Sequence, residues 1–447
     1  MKKLVAIFKN KDIRERIFFT LGIILIFRIG AYITVPGVNV VANEMNTDNV
    51  LALMNLMGGG ALQQFSLFAL GVSPYITSSI IIQLLSMDVL PALTELSKQG
   101  QTGRKKIEMA TRYLTLVLGA VQAYGIIVTM QNSGAIELAS SDFWGYAQVV
   151  IFLIAGSMLV MWMADQISSK GIGNGVSMII FVGIIASLPS QLLQAFSEFF
   201  VTELGKGDET LILQGAIKLL FYVIAYLLII LFVAFIEKSI RKIPVQHSNK
   251  GGALNAKVNN TSFLPIKINS AGVIPVIFAS SLMMAPAVII GFAVPNTNEV
   301  TDTIINIFTN TALVEMPWFN DEVWYMPWGL IIYIVLTFAF SFFYSNLTIN
   351  PERLADDFQK SGSYIPGIRP GADTERYIKK VLNRVTCIGA LALTLIAALP
   401  VVLTIFNIVP QSLALGGTGM IIVVGVALET MNQINGLLAS NEHANVI

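Results

Sequence analysis

Long apolar runs separated by polar loops dominate this chain of 447 residues. Runs of this length suit the roughly 20 residues that an α-helix needs to cross a hydrocarbon core of about 30 Å. The first run follows the basic residues 1–16, as in a signal peptide, but its length and the lack of a small-x-small cleavage site predict a retained helix. The pattern therefore predicts an all-α polytopic membrane protein with ten helices near 17–35, 73–90, 113–131, 146–164, 176–196, 211–236, 271–293, 328–348, 381–406 and 415–436.

The stretch 55–85 is apolar but too broken to cross a membrane as one helix. Three glycines at 58–60 end any helix before it, and 61–70 would span only about 15 Å if helical. Gly71 interrupts the run, and Pro74 suits the first turn of a new helix. Broken main chain at membrane depth is tolerated only where protein or a water-filled cavity surrounds it. We therefore predict a re-entrant half-helix followed by a cavity-lining helix; the alternative is a loop before an ordinary membrane helix.

A six-residue pattern occurs twice, since Gly71–Ile76 and Gly272–Ile277 both read G-V-x-P-x-I. The two copies lie five spans apart, and an odd separation makes the chain segments run in opposite directions. Inverted repeats of this kind typically place a functional site where the halves meet. The pattern predicts two five-helix halves, 1–210 and 211–447, although a chance match of six residues remains the alternative.

Charge is scarce and unevenly distributed along the chain. Only 12% of the residues are charged and the mean hydropathy is +0.71, whereas soluble domains carry roughly 25% charged residues. The loops on one side, which we call the basic face, hold 25 of the 28 lysines and arginines, and the opposite loops hold 13 acidic residues. The positive-inside rule then places the basic face and both termini in the cytoplasm. The loops of the basic face are 1–16, 91–112, 165–175, 237–270 and 349–384.

The sequence shows no catalytic or metal-binding pattern. Cys387 is the single cysteine, and His247 and His443 lack the spacing of metal ligands. No phosphate-binding G-x-x-x-x-G-K-[ST] loop occurs, so any nucleotide hydrolysis falls to a partner. Charges within the spans are few, for example Arg28 and the interfacial Glu429. No set of Asp, Glu or His side chains lies in mid-span, and this counts against an ion-coupled solute transporter. We therefore predict a protein that is not an enzyme and binds no cofactor.

Two glycine-rich loops lie on the basic face. The sequence G-I-G-N-G at Gly171–Gly175 predicts a tight turn or a close helix contact, not a dinucleotide site, because no strand precedes it. The sequence G-I-R-P-G at Gly367–Gly371 fixes a turn that presents Arg369. A solvated arginine at a turn tip is the alternative for the second loop.

Together these motifs resemble the SecY family, the channel subunits of bacterial Sec protein translocases. The resemblance runs from about Arg14 to Glu429. It rests on motifs that occur in the family's order at 27–30 (FRIG), 59–62 (GGAL), 68–71 (FALG), 74–76 (PYI), 83–85 (QLL), 103–106 (GRKK), 171–175 (GIGNG), 271–275 (AGVIP), 350–351 (NP), 366–371 (PGIRPG) and 416–418 (GGT).

The resemblance implies an hourglass channel with a plug and a pore ring. The plug would occupy about 57–70 and include Gly59, Gly60, Ala61, Leu62, Phe65, Leu67 and Phe68. The ring would consist of Val72, Ile76, Val176, Ile180, Ile277 and Ile422. An aliphatic collar has no fixed polarity, so it can close around any passing side chain and still block ions. Two positions carry valine where the family commonly has the larger isoleucine, which bears on the tightness of the seal.

The resemblance also implies a lateral gate and a docking surface. The gate would open to lipid between helices two and three on one side and seven and eight on the other, with Gln83, Thr115 and Asn269 as candidate contacts. Ordinary interhelical hydrogen bonding is the alternative for these three residues. The long loops 237–270 and 349–380 would dock a motor or ribosome through Arg369, Arg241, Lys242 and Lys250. The tip at 248–254 is poorer in arginine than the family pattern.

The function implied is passive conduction of unfolded secretory polypeptides across the bacterial cytoplasmic membrane, with lateral release of transmembrane segments. The implied partners are the subunits SecE and SecG, the SecA motor ATPase, the ribosome, signal peptides and secretory preproteins, and membrane lipid, with SecDF and YidC as additional candidates. A secondary solute transporter built from inverted repeats is the alternative.

Overall fold

Each of the ten predicted spans coincides with or overlaps a helix. The computed structural model describes residues 10–41, 55, 58–86, 90–132, 134–140, 142–197, 199, 209–247, 262–293, 299–309, 314–316, 324–406 and 411–444.

The N-terminal half contains six of the described helices and one pair of short strands. The helices are α1 Lys11–Gly30, α2 Ser73–Leu85, α3 Pro91–Lys98, α4 Gln101–Asn132, α5 Phe143–Lys170 and α6 Gly175–Phe196. The strands β1 Val38–Val40 and β2 Ile136–Leu138 pair antiparallel and join two loops on the side opposite the basic face.

The C-terminal half contains the remaining described elements. The helices are α7 Glu209–Lys238, α8 Ile274–Ala293, α9 Glu299–Phe308, α10 Trp328–Thr348, α11 Pro351–Lys360, α12 Ala372–Ile405 and α13 Gln411–Ala444. The strands are β3 Ile240–His247, β4 Ser262–Lys267, β5 Val314–Met316, β6 Trp324–Met326 and β7 Ser363–Tyr364.

The helices have the length and composition of membrane spans. Within the described residues, seven helices are long and apolar enough to cross a membrane: α4, α5, α6, α7, α10, α12 and α13. The shorter α2 and α8 are also apolar. Helix α7 exposes large side chains such as Leu231 (66%) and Phe235 (71%), as expected of a helix that faces lipid. The all-α membrane architecture predicted from the sequence is therefore confirmed.

The repeated G-V-x-P-x-I pattern has the same backbone geometry in both copies. Gly71 and Gly272 adopt positive φ angles of 54° and 65°, which glycine tolerates without a steric penalty. Two residues later, α2 and α8 begin, each with a proline as the second helical residue. The first helical hydrogen bond in each copy runs to the carbonyl of the valine, from Ile76 to Val72 (3.0 Å) and from Ile277 to Val273 (3.3 Å). The sequence pattern thus encodes one local structure used twice.

The prediction of a half-helix at 61–70 is wrong, because these residues form consecutive turns. Phe65 has a φ of 40°, outside the helical range, and Ser66 forms an isolated bridge with Thr34. The amide of Leu67 donates to the Ile33 carbonyl at 2.9 Å, beyond the end of α1. The main chain therefore hydrogen-bonds with its neighbour after α1, which competes with a helical ladder. Within 51–57, only Asn55 lies among the described residues, and it is helical.

One apolar core is shared by both halves. It takes buried side chains from α1, α2, α5 and α6 and from α7, α8, α10, α12 and α13. A second cluster lies between α4, α5 and the turn segment 58–71. The turn segment touches both clusters, so it occupies the interior of the helical bundle.

Gly156 on α5 gives a test of this packing. A Cβ atom at this position would lie 1.8 Å from the Leu67 carbonyl oxygen, so Gly156→Ala forces the turn segment away from α5. Overpacking of this kind costs about 1–3 kcal/mol of unfolding free energy, and we expect a lower midpoint of thermal unfolding in detergent. The control is Gly22→Ala on the exposed face of α1, where nothing lies within 4 Å. Equal midpoints for the two variants would contradict the contact.

Candidate functional site

The structure brings the six predicted ring residues into one apolar cluster where the halves meet. Five are buried members of the shared core, and the sixth, Val176, is partly buried and packs against it. They come from the start of α2, from α6, from α8 and from α13. The buried members are Val72, Ile76, Ile180, Ile277 and Ile422.

Two glycines let α13 reach this cluster. A Cβ atom on Gly419 would lie 2.9 Å from Cγ2 of Ile184 on α6. A Cβ atom on Gly425 would lie 2.4 Å from Cγ1 of Val273, just before α8. Ile422 lies between these two glycines, so the close approach of α13 to α6 and α8 carries Ile422 into the core.

The predicted plug residues divide between the two apolar clusters. Ala61 and Phe68 belong to the core that contains the ring, and Leu67 packs against it. Leu62 and Phe65 belong to the second cluster with α4 and α5. The turn segment therefore packs against both the cluster that holds the predicted ring residues and the cluster with α4 and α5.

Polar bonds hold both ends of the turn segment. Arg28 donates from Nη1 to the Gly59 carbonyl at 2.8 Å and from Nη2 to the Tyr32 hydroxyl at 3.3 Å. At the other end, the hydroxyl of Ser157 on α5 donates to the Gly71 carbonyl at 3.1 Å. Gly60 is half-buried between them. Sequence analysis identified Arg28 as a charge within a span but predicted no partner for it. The partner is a backbone carbonyl, and every residue has one, so the sequence does not indicate which carbonyl it is.

Of the three predicted gate residues, Gln83 makes a hydrogen bond to a helix of the other half. Helix α8 packs against α2, α4 and α10. The Tyr344 hydroxyl on α10 donates to Oε1 of Gln83 on α2 at 2.6 Å. The Gln83 Nε2 donates to Ser79 Oγ at 3.2 Å, which orients the amide. Sequence analysis missed Tyr344; the only signal was a single tyrosine within a phenylalanine-rich run at 338–344.

Thr115 and Asn269 hydrogen-bond within their own halves. Thr115 is buried and donates to the Thr111 carbonyl one turn earlier in α4. Asn269 donates to Glu237 Oε1 at 2.9 Å and to the Gly272 carbonyl at 3.0 Å. The bond from Asn269 to Glu237 ties the residues before α8 to the end of α7.

The two long loops of the basic face form one folded unit, which we call the platform (described residues 239–247, 262–273 and 349–371). A three-stranded sheet in the order β4-β3-β7 joins them, with Gln246 opposite Tyr364. Beneath the sheet lies an apolar cluster that reaches into the first turns of α12 and includes Ile243, Ile266, Ile365, Ile378 and Leu382.

The platform presents three of the four predicted docking residues to solvent. Arg369, Arg241 and Lys242 are all exposed, whereas Lys250 lies outside the described residues. A hydrogen bond from the first turn of α12 stabilises the turn at Arg369: the Thr374 hydroxyl donates to the Arg369 carbonyl at 2.9 Å. Lys242 lies over the ring of Phe263, with its Nζ 4.7 Å from the ring centroid.

The G-I-G-N-G loop makes the predicted close helix contact. A Cβ atom on Gly175 would lie 1.8 Å from the Ala164 carbonyl oxygen on α5. The Gly173 amide donates to Gln433 Oε1 on α13 at 2.9 Å, so this loop also joins the two halves. Across the described part of the chain, no group of three or more His, Cys, Asp or Glu side chains could hold a metal ion.

These features define a polytopic α-helical membrane protein with an apolar core shared by two halves and a basic platform on one face. The family model for SecY matches residues 66–431. The chain belongs to the SecY family. It is 42% identical over 444 residues to the protein translocase subunit SecY of Bacillus subtilis, covering 99% of this chain and 98% of that protein.

Solved structures show the same fold. A SecY channel whose plug domain is described as stabilising the closed state and maintaining a membrane seal matches with a TM-score of 0.65 and 19% identity. Sec61 in the canine ribosome–channel complex of the endoplasmic reticulum matches with a TM-score of 0.63, also at 19% identity. Each similarity covers 94% of this chain and 91% of the other.

Arg28 gives a test of how the turn segment is held. Hydrogen bonds to charged groups contribute about 1.5–3 kcal/mol, so Arg28→Met should let the segment leave its site roughly tenfold more often. The measurement is the rate at which a membrane-impermeant maleimide labels Ala61→Cys, a fully buried position, in a Cys387→Ser background. Lys218→Met, which removes an exposed lysine in α7, is the control and should leave the rate unchanged. Equal rates in both variants would remove Arg28 from this role.

Proposed function

We propose that this chain is the protein-conducting channel of a Sec translocase. In this role it passes unfolded secretory polypeptides across the membrane and releases transmembrane segments sideways into lipid. The observation that carries the proposal is that six aliphatic side chains from both halves lie in, or pack against, one apolar cluster beside an interior, non-helical segment. Membership of the SecY family supports this function over the solute-transporter alternative.

The apolar ring accounts for both sealing and lack of selectivity. A narrow apolar constriction excludes water and ions by dewetting when nothing occupies it. Its aliphatic side chains offer no hydrogen-bonding groups, so a passing polypeptide meets no site that holds a particular residue. The turn segment, as the plug, adds a second barrier that is anchored at Gly59 and Gly71 and must leave before transport.

The platform is the docking surface for the machine that supplies the driving force. Its exposed cations suit an acidic partner surface or ribosomal RNA. A solved neighbour of this fold is a ribosome–channel complex, which supports the ribosome as a partner. We extend the proposal to the SecA motor, the SecE and SecG subunits, SecDF and YidC. The positive-inside rule places the platform and both termini in the cytoplasm, with the chain in the bacterial cytoplasmic membrane.

The lateral gate is the interface of α2 and α4 with α8 and α10. The contact of α8 with both α2 and α4 supports a closed gate. A signal sequence would bind between these helices, with secretory preproteins following through the ring. Membrane lipid would receive the apolar segments that the gate releases.

A crosslink tests the proposed function directly. In a Cys387→Ser background, Ile277→Cys should form a disulfide with a cysteine in an arrested secretory chain, and only when the motor and ATP are present. The control is Ile185→Cys on α6, whose side chain is 39% exposed and not part of the ring cluster. Failure to crosslink at Ile277, Ile76 and Ile180 alike would show that the cluster is packing and reopen the transporter alternative.

Arg369 tests the docking surface. Reversing its charge in Arg369→Glu should lower motor-driven export into vesicles by about tenfold or more, because it replaces attraction with repulsion at the interface. The thermal unfolding midpoint should be unchanged, since the side chain is exposed. Arg376→Glu is the matched control, an arginine with an 83% exposed side chain nearby on α12. Normal export by well-folded Arg369→Glu would exclude the residue from docking.

A further inference from the structure

The glycine turn before each of α2 and α8 leaves one backbone carbonyl outside the helix. Gly71 and Gly272 turn the chain with positive φ angles, and the helical hydrogen bonds start at the carbonyl of the valine that follows. A glycine carbonyl inside a helical bundle still needs a donor. In both copies a buried side chain of the same half supplies it: Ser157 donates to Gly71 at 3.1 Å, and Asn269 donates to Gly272 at 3.0 Å.

The carbonyl of Gly272 is held by two side chains in series. The Nδ2 atom of Asn269 that donates to Gly272 also donates to Oε1 of Glu237, at the end of α7, at 2.9 Å. An amide nitrogen carries two hydrogens, so it can serve both acceptors at once. Asn269 is only 6% exposed, so water does not compete freely for these bonds. The turn before α8 is therefore fastened to α7, although the chain between them runs through the platform.

Ile277 depends on this fastening because it lies in the first turn of α8. The first helical hydrogen bond joins the Ile277 amide to the Val273 carbonyl at 3.3 Å, beyond the usual range of such bonds. Pro275, the second residue of the helix, has no amide hydrogen with which to add another. The helix by itself holds its first turn weakly, so the position of Ile277 is set by the turn that precedes it.

The same pair of side chains lies against α13. A Cβ atom on Gly425 would lie 2.4 Å from Cγ1 of Val273 and 3.7 Å from Oε1 of Glu237. Gly425 therefore packs on the fastened turn and on the carboxyl group that fastens it. Ile422, one helical turn earlier on α13, is another buried member of the predicted ring. Glu237 thus lies beside both C-terminal helices that contribute a ring residue.

We propose that Glu237 and Asn269 are positioning residues that hold Ile277 in the pore ring and keep the resting channel sealed. The proposal rests on the proposed function, because it assigns a support to the ring of that channel. Ser157 has the matching role for α2 through the Gly71 carbonyl. An apolar constriction excludes water and ions only while it stays narrow, so a shift of the start of α8 opens a wet path through it.

The first experiment measures whether Ile277 stays dry. A membrane-impermeant maleimide labels Ile277→Cys in a Cys387→Ser background, with the channel and its partner subunits at rest in lipid vesicles. Asn269→Leu combined with Glu237→Leu removes both partners, so no buried group of the pair is left unpaired. This variant should raise the labelling rate about tenfold or more, the factor expected when a hydrogen bond to a carboxylate is lost. Glu237→Gln keeps an acceptor oxygen and should label at nearly the wild-type rate.

A second cysteine position separates displacement of the ring from general loosening. Ala397→Cys on α12 lies in the same apolar core and is fully buried, but it is not a predicted ring residue. Its labelling rate should be unchanged by the two leucine substitutions. Equal increases at both cysteines, or no increase at Ile277→Cys, would overturn the proposal. Should the double leucine variant not fold, Glu237→Leu alone, compared with Glu237→Gln, decides in the same assay.

The second experiment measures the seal itself, as the leak of potassium from vesicles that contain the resting channel. The double leucine variant and Ser157→Ala should each leak several-fold faster than wild type, and Ser157→Thr, which keeps the hydroxyl, should restore the seal. Ser341→Ala is the matched control, because Ser341 is a buried serine whose hydroxyl donates within its own helix. Wild-type leak rates in both anchor variants would refute the link between these bonds and the seal.

Export of a preprotein by the wild-type channel tests the proposed function separately. Failure of that export would overturn the proposed function, whereas the labelling and leak rates of the resting channel would still decide whether Glu237 and Asn269 hold Ile277 in place.

Discussion

A main chain that leaves the helical conformation inside an apolar bundle must still satisfy its polar groups, and this requirement shapes the centre of the molecule. The turn segment meets it with partners from outside itself. Arg28 donates a hydrogen bond to the Gly59 carbonyl, and Ser157 donates one to the Gly71 carbonyl. Between them, Ser66 forms an antiparallel β-bridge with Thr34. Val72 follows directly, so the position of this buried residue at the start of α2 depends on how these bonds hold the preceding turns.

Polar and apolar contacts have different distributions in the molecule. Hydroxyl bonds such as Ser270–Ser345–Thr386, and the ion pair between Arg112 and Asp165 at 2.8 Å, tie helices together within a half. The boundary between the halves is mainly apolar. Apolar contact is non-directional, so surfaces held by it can separate and rejoin without finding an exact register. That distribution suits two bodies that keep their shape while the gap between them changes.

The sequence predicted the parts of the fold that depend on local pattern. Apolar runs located the helices, and the motif at Gly71 and Gly272 located two identical helix starts, because both depend on residues close in the chain. Residues 61–70 were wrongly predicted as helix, because a short apolar run does not distinguish a helix from buried turns. Tyr344 was missed because its partner lies 261 residues away. The pairing of β3 with β7 could not be predicted either, because neither strand has a sequence pattern that identifies its partner.

The sheet of the platform has a consequence for biosynthesis. Strand β3 is made early, but β7 ends at Tyr364, more than a hundred residues later, and α8 and α10 must be inserted between them. Translation runs from the N-terminus, so a partly synthesised chain has the first loop without the strand that completes it. The platform sheet therefore becomes complete only after α8 and α10 have been synthesised. A chain that has been synthesised only as far as α10 therefore carries an incomplete platform sheet.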